Sequence, residues 1–472
     1  MSAALFDFFL PSKTIQALPA LLLTWLRGTL EKRHFFRRMG CELNYTVIHN
    51  GTFLTRADQP VVKGTMVIQG DKIVAIGEVP KEQIPETAAR IDGTNRLYMP
   101  GLVNTHGHAA MSLLRGVGDD LVLQVWLEEK MWPNEAKFTS EDVRWATLLS
   151  ILEMVKGGTT AFVDMYDHMD EVAKAVEQSG MRGCLTRGVI GLCPPDVQQA
   201  KLDEAKQFAR SWHKAADGRI TTMMAPHAPY TCPPDYITRI VEAAHELNLP
   251  LHTHMSETAA EVERNVQDYG CRPPEHLAKL GVFSRSCLVA HGVHLTNEEI
   301  DLLKQYDVRV SHNPGSNLKL ASGVARVPEL LQAGVLVSLG TDGAASNNNL
   351  DMFEEMRLAA LIHKGVSGDP TSIPAETAFR MATVDGARSI WLDHIGLLEP
   401  GYKADFIAID IDQPHLLPAS NYLSHIVYSA SANDVTDVFV DGKAIVRNRV
   451  CLTLDEEKIK AEFNLRYSSL LG

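Results

Sequence analysis

The chain has 472 residues, 45% of them apolar and 22% charged, which suits a globular protein with a large core and more than one domain. Its 45 basic and 58 acidic residues leave a net charge of -13, which argues against nucleic acid as a partner, since that would want a basic face. Seven dispersed cysteines with no CxxC pair read as reduced thiols of a cytoplasmic protein, and no apolar run reaches the roughly 18–20 residues that a membrane span needs.

Residues 1-40 read as an extension outside the main fold. The apolar stretch Ile15 to Leu26 is broken by Pro19, and no small-residue cleavage site follows it. A short membrane-surface helix flanked by Arg37 and Arg38 is the alternative, but no membrane association is expected. From Tyr45 the pattern becomes β, with a turn expected at Asn50-Gly51 between two strands and another at Gly70-Asp71. After Gly101 eight apolar strand-like runs alternate with amphipathic helical segments such as Tyr236 to Leu247 and Asn297 to Tyr306. Eight βα units predict an α/β fold, a closed (β/α)8 TIM-type barrel over residues 101-392. The β pattern returns near residue 393, with a turn expected at Asp441-Gly442. Residues 41-100 plus 393-460 are therefore expected to form one small β-sandwich domain from both chain ends. No GxGxxG or GxxxxGK[ST] opens a helix, so dinucleotide and P-loop readings lack support.

Barrel enzymes place their chemistry at the C-terminal ends of the strands. Here nearly every predicted strand ends in a titratable or metal-capable group: His106 and His108, Asp164, Arg187, His227, His254, His291, His312 and Asp342. His106 and His108, in the run Asn104-Thr-His-Gly-His, point to one side of an extended strand. With His254 and Asp342 they make a nitrogen-rich set with one hard oxygen. That set suits one divalent metal ion, zinc in the first place, or Fe2+ or Ni2+, better than magnesium or calcium. Such an ion lowers the pKa of a bound water from about 15.7 to about 7. Glu257, three residues beyond His254, could reach a substrate as a general acid without binding the metal. His291 could steer or deprotonate the water. His252 sits two residues before His254 and reads as deeper and structural, and His294 as a loop residue. His312 could serve either role, and Asp164 reads as a hydrogen-bonding group. No later strand carries a lysine at its end that could be carboxylated, so one metal is expected rather than a bridged pair.

These stretches resemble the amidohydrolase superfamily, and more closely its 5-methylthioadenosine/S-adenosylhomocysteine deaminases. The likeness is carried by Trp132-Pro-Asn-Glu, Leu185-Thr-Arg-Gly, Pro226-His-Ala-Pro-Tyr, His252-Thr-His-Met-Ser-Glu-Thr, Ala290-His-Gly-Val-His, Ser311-His-Asn-Pro-Gly-Ser-Asn and Gly340-Thr-Asp-Gly-Ala-Ala-Ser, and runs from about Tyr45 to Val450. The resemblance implies that His106, His108, His254 and Asp342 hold the metal, and that Glu257, His291 and Asp342 move protons and meet the substrate. It implies that Glu135 accepts hydrogen bonds from ribose hydroxyls, that Arg187 and His227 line the nucleoside pocket, and that Ser346 adds a polar contact. Where the family often has an arginine facing the homocysteine carboxylate, this chain has Lys201, which offers a point charge rather than a fork. That leaves methylthioadenosine or adenosine open beside S-adenosylhomocysteine. Relatives of this kind are often oligomers, so the resemblance also raises a homo-oligomer as an expectation.

The expected reaction is hydrolytic deamination of an adenine nucleoside to the 6-oxopurine nucleoside and ammonia. The first rival is another hydrolase on the same scaffold, acting on guanine, a pterin or a triazine. The second is a non-catalytic nucleoside-binding protein. The cytidine-deaminase signature of HxE with PCxxC is absent.

Overall fold

A computed structural model describes residues 44–471, so the expected extension at 1-40 lies outside the described residues. Five strands open the chain: β1 (Tyr45–Phe53), β2 (Val62–Gln69), β3 (Lys72–Gly77), β4 (Ala89–Asp92) and β5 (Arg96–Pro100). Nine follow in the middle: β6 (Leu102–Asn104), β7 (Thr159–Tyr166), β8 (Arg182–Val189), β9 (Ile220–Thr222), β10 (Ala225–Pro226), β11 (Leu251–Met255), β12 (Cys287–His291), β13 (Arg309–His312) and β14 (Val337–Leu339). Four close the chain: β15 (Phe406–Asp410), β16 (Val435–Val440), β17 (Lys443–Arg447) and β18 (Val450–Cys451).

The first and last groups hydrogen-bond into one nine-stranded sheet. Its order is β18-β17-β16-β15-β5-β1-β2-β3, with β4 beside β1. The join is β15 against β5, antiparallel, with Phe406 opposite Pro100 and Asp410 opposite Arg96. This sheet has its own apolar cluster, including Ile48, Phe53, Met66, Tyr98, Phe406 and Phe439. The turns at Gly70 and Gly442 are where expected, each with positive φ that glycine adopts freely. The expected turn at Asn50-Gly51 is instead an irregularity within the single strand β1, between Ile48 and Gly51. Asn50 takes a left-handed φ of 58° there, so the strand bends and continues, as a bulge does.

The middle strands run parallel and form two sheets, β10-β8-β7-β6 with β9 beside β8, and β11-β12-β13-β14. The fourth apolar run is split at Met223-Met224 into β9 and β10, both paired with β8. A parallel bridge from Met224 to Leu251 joins the two sheets on one side. On the other, the Thr105 amide donates to the Leu339 carbonyl at 2.9 Å. Helices alternate with these strands, and the sequence sets their starts. Thr139 with Asp142 and Thr296 with Glu299 each form a reciprocal capping box, which satisfies two amides that a helix start leaves unpaired. A buried ion pair ties the parallel strands to the nine-stranded sheet: Arg182 on β8 meets Asp405 and Asp441, both at 2.5 Å. Among the described residues, no helix is long and apolar enough to cross a membrane.

Candidate active site

Four side chains meet where the C-terminal ends of β6, β11 and β14 approach one another. His254 Nε2 lies 3.3 Å from His108 Nε2. Asp342 Oδ1 lies 3.4 Å from His106 Nε2 and 3.2 Å from His108 Nε2. His108 Nδ1 is 2.6 Å from the Met165 carbonyl, and His254 Nδ1 is 2.7 Å from the His227 carbonyl. A carbonyl oxygen only accepts, so each Nδ1 carries the hydrogen, and Nε2 of the neutral ring offers a lone pair to the cluster. His106 Nε2 is buried and has no hydrogen-bond partner. Lone pairs and a carboxylate oxygen aimed at one another repel unless a cation or a proton sits between them. Three imidazole nitrogens with one carboxylate oxygen are a donor set that zinc takes.

The surroundings set the charges. Burial opposes the ionised form of Asp342, but His106 and His108 outweigh it and hold the carboxyl well below its ordinary range. Burial keeps His106 and His254 well below theirs, so both rings are neutral. For His108 burial is outweighed by Asp342, which raises it to about 9, so a proton on its Nε2 balances that carboxylate until a cation takes its place and frees the lone pair. Ser316 and Ser346 donate to Asp342 Oδ2 at 2.7 and 2.9 Å, and the Gly343 amide donates to Oδ1 at 2.8 Å. Asp342 and His291 both hold left-handed backbone, φ 62° and 75°, a strain of about 1–3 kcal/mol each that collects at functional sites.

Above the cluster opens a cavity of about 410 Å³, within the usual range for a small-molecule site. Glu257 and His291 stand at its floor, with Glu257 Oε2 3.8 Å from His291 Nε2. Burial pushes the Glu257 carboxyl up from its usual value, with His291 pulling the other way. Its loop is braced by Glu261, whose carboxylate accepts from the amides of Ser256 and Glu257 at 2.9 and 2.7 Å. Glu135 lines one wall and accepts from the Tyr166 hydroxyl at 2.6 Å; burial raises its pKa as well. His227 lines the cavity beside His254, and burial drives it down to about 3. Arg187 and Lys201 also line the cavity. Arg187 is paired with Asp167 at 3.0 Å and Glu204 at 3.2 Å, and Lys201 donates to the Ile190 carbonyl at 3.3 Å. Much of the rest is apolar, including Met111, Trp126, Trp132, Phe138 and Leu320.

Most residues singled out in the sequence thus converge. His108, Glu135, Arg187, His227, His254, Glu257, His291 and Asp342 line one cavity, and His106 lies beneath it. Ser346 does not line it; the polar contact expected of that hydroxyl goes to Asp342. Asp164 accepts from the Ala109 amide at 2.7 Å, the strand-end role expected for it. His312 turns away from the cavity and faces His363, with the two Nε2 atoms 3.3 Å apart. His294 sits in a loop and meets the Ser322 carbonyl. His252 is one layer deeper, as expected, but its Nε2 lies 3.0 Å from His106 Nδ1. Sequence reasoning missed Tyr166, Ser316 and Asn317, whose Oδ1 lies 2.8 Å from His291 Nδ1. A signal existed for two of them. Tyr166 shares strand parity with Asp164, and Asn317 follows the strand end at His312 within one turn of helix.

The amidohydrolase family profile matches residues 97–445, well over half of the chain, and the chain belongs to that family. Within it, the 5-methylthioadenosine/S-adenosylhomocysteine deaminase of Dictyoglomus thermophilum is 51% identical over 81% of this chain and 89% of its own. The protein of the same description from Halalkalibacterium halodurans is 48% identical over 90% of this chain and 98% of its own. Among solved structures, a zinc-bound adenosine deaminase from Xanthomonas campestris superposes with a TM-score of 0.84 at 35% identity, covering 90% of this chain and 98% of its own. An atrazine chlorohydrolase from Arthrobacter aurescens, at 24% identity and a TM-score of 0.83 over 89% of this chain and all of its own, shares the fold.

Proposed function

We propose that this protein is a metal-dependent deaminase of adenine nucleosides, acting on 5-methylthioadenosine and S-adenosylhomocysteine and releasing ammonia and the 6-oxopurine nucleoside. The observation that carries the reading is a buried carboxyl raised toward its protonated form, Glu257, standing with His291 beside three imidazoles and a carboxylate at the floor of an apolar cavity. The names and extent of the relatives support the substrate class. In this reading His106, His108, His254 and Asp342 hold one zinc ion. Zinc held there would lower the pKa of a bound water from about 15.7 to about 7, which is the chemistry that attack on C6 of adenine needs. Glu257, protonated, gives its proton to ring N1 so that the ring accepts the incoming electrons. Asp342 and His291 take the proton of the attacking water and return it to the departing amine. Glu135 accepts from the ribose hydroxyls, and Arg187 and His227 border the nucleoside.

The accompanying fold reading is one closed (β/α)8 barrel over residues 101-392, supported by the hydrogen bonds at both seams between the parallel sheets. Beside it, residues 41-100 plus 393-460 make one sandwich-like β domain, supported by its separate apolar cluster. The six described cysteines are free thiols, in keeping with a cytoplasmic enzyme. The test is ammonia release by zinc-loaded protein given methylthioadenosine, S-adenosylhomocysteine, adenosine and guanine side by side. Turnover of the adenine nucleosides alone is the expected result. Since Arg187 is already bound by two carboxylates and Lys201 is a point charge, methylthioadenosine should rank above S-adenosylhomocysteine. Guanine turnover with silence on the nucleosides would overturn the substrate.

A further inference from the structure

Each proposed ligand must present Nε2 as a lone pair, and that requires the hydrogen to stay on Nδ1. His108 and His254 achieve this directly, since each Nδ1 reaches a main-chain carbonyl. The Nδ1 of His106 meets no carbonyl; it faces another imidazole, His252 Nε2, at 3.0 Å. His252 Nδ1 in turn lies 2.8 Å from the Leu288 carbonyl on β12. Only one arrangement of hydrogens satisfies this chain with both rings neutral. Leu288 O accepts, so His252 Nδ1 carries a hydrogen and His252 Nε2 is left with its lone pair. His106 Nδ1 must then donate to it, and His106 Nε2 is bare.

The side chain fits no simpler role. His252 is wholly buried, although an apolar residue would fill that layer of β11 without the need to satisfy two polar atoms. Its neighbour along the strand, Leu251, and its partner across it, Leu288, are both apolar. We propose that His252 is a positioning residue for the metal: a relay that carries the Leu288 carbonyl to His106, fixes that ring's tautomer and orientation, and makes its Nε2 a ligand. Outer partners of this kind typically set metal affinity by 10–100-fold. The inference rests on the metal reading of the histidine cluster but not on the choice of substrate.

The test is zinc affinity, read by competition with a chromophoric chelator, on wild type, His252→Gln and His252→Leu. Glutamine places an amide oxygen near the position of Nε2 and can accept from His106; leucine cannot. The leucine protein should bind zinc about 10–100-fold more weakly and the glutamine protein within a few-fold of wild type. Should the leucine protein not fold, His252→Asn replaces it, because asparagine can meet Leu288 but is too short for His106, and the same loss is expected. Equal affinity in all variants overturns the relay, and so does an equal loss in the glutamine protein and its partner variant, which would mark a packing role. A wild type that binds no divalent metal would overturn the metal site itself and the relay with it. Ammonia release on the substrate panel is a separate readout, so an error in the substrate would leave the zinc result standing.

Discussion

Glu257 is the residue on which the proposed chemistry turns, and its burial gives a signed expectation. A general acid must carry its proton, and burial raises this carboxyl above its usual value. Through this group activity should therefore fall as pH rises through the raised pKa, seen as an alkaline limb in kcat/KM. Glu257→Gln should lose about 10²–10⁴-fold in kcat while zinc content, measured by metal analysis, stays the same. Near-normal turnover in that variant would remove the role. Glu135 gives a different signature. In its proposed role the carboxylate accepts from the ribose, so Glu135→Gln should raise KM for nucleosides more than it lowers kcat. At this scale the sequence was informative for groups that stand at strand ends, because strand parity and barrel topology together place them. It was uninformative for groups that act through another side chain. Ser316, Ser346 and His252 touch Asp342 or His106, and no spacing rule reports such a contact.

The helix Met352–Ser367 shows what an element contributes without facing the cavity. From it, the wholly buried carboxylate of Glu355 accepts from the Gly315 amide at 3.0 Å and from Asn347 Nδ2 at 2.7 Å. It thereby ties the turn after β13 to the turn that carries Asp342. Burial raises Glu355 to about 8, well above its value of 4.5 in an unfolded chain. The sign follows: its neutral form contributes stability fully below pH 4.5, and that contribution is lost as pH rises toward 8. The melting temperature of wild type relative to Glu355→Gln should fall across that window; a constant difference would show that Glu355 does not titrate there. Legibility at this scale followed periodicity. The parallel strands are almost wholly buried and read as continuous apolar runs. The helix Glu456–Leu471 was not foreseen, and only Ile459 in it is fully buried, so it shows no apolar stripe to read.

Across the molecule, the cross-link of Arg182 to Asp405 and Asp441 holds the two groups of strands together, and the side chains of Arg182 and Asp405 are 5% and 1% exposed. Removing one partner of a buried pair strands the other charge. Arg182→Leu should therefore cost about 3–5 kcal/mol in urea unfolding, more than any surface ion pair of this chain. Zinc should act in the same direction as that cross-link. Metal at about 1,000 times its dissociation constant adds about 4 kcal/mol by mass action, so a chelator should lower the melting temperature and added zinc restore it. The βα alternation in the sequence predicted the parallel strands, because each apolar run is bracketed by turn residues. The joining of the two chain ends came from a coarser cue, the return of the β pattern near residue 393. It placed the two ends in one domain but specified neither strand partners nor register, since these depend on the bulge at Asn50 and the cross-strand contacts of β5 with β15.

The pairing of β15 with β5 also has a consequence in time. Pro100 leaves the ribosome about 300 residues before Phe406, which at about 5–20 residues per second is on the order of 15–60 s. Through that interval β5 has a parallel neighbour in β1 and an open edge on its other side. The nascent chain therefore carries an unpaired edge strand for longer than any of its parallel strands, and an edge of that kind is where chains adhere to one another. Messages truncated before β15 should yield aggregates rather than a soluble fragment.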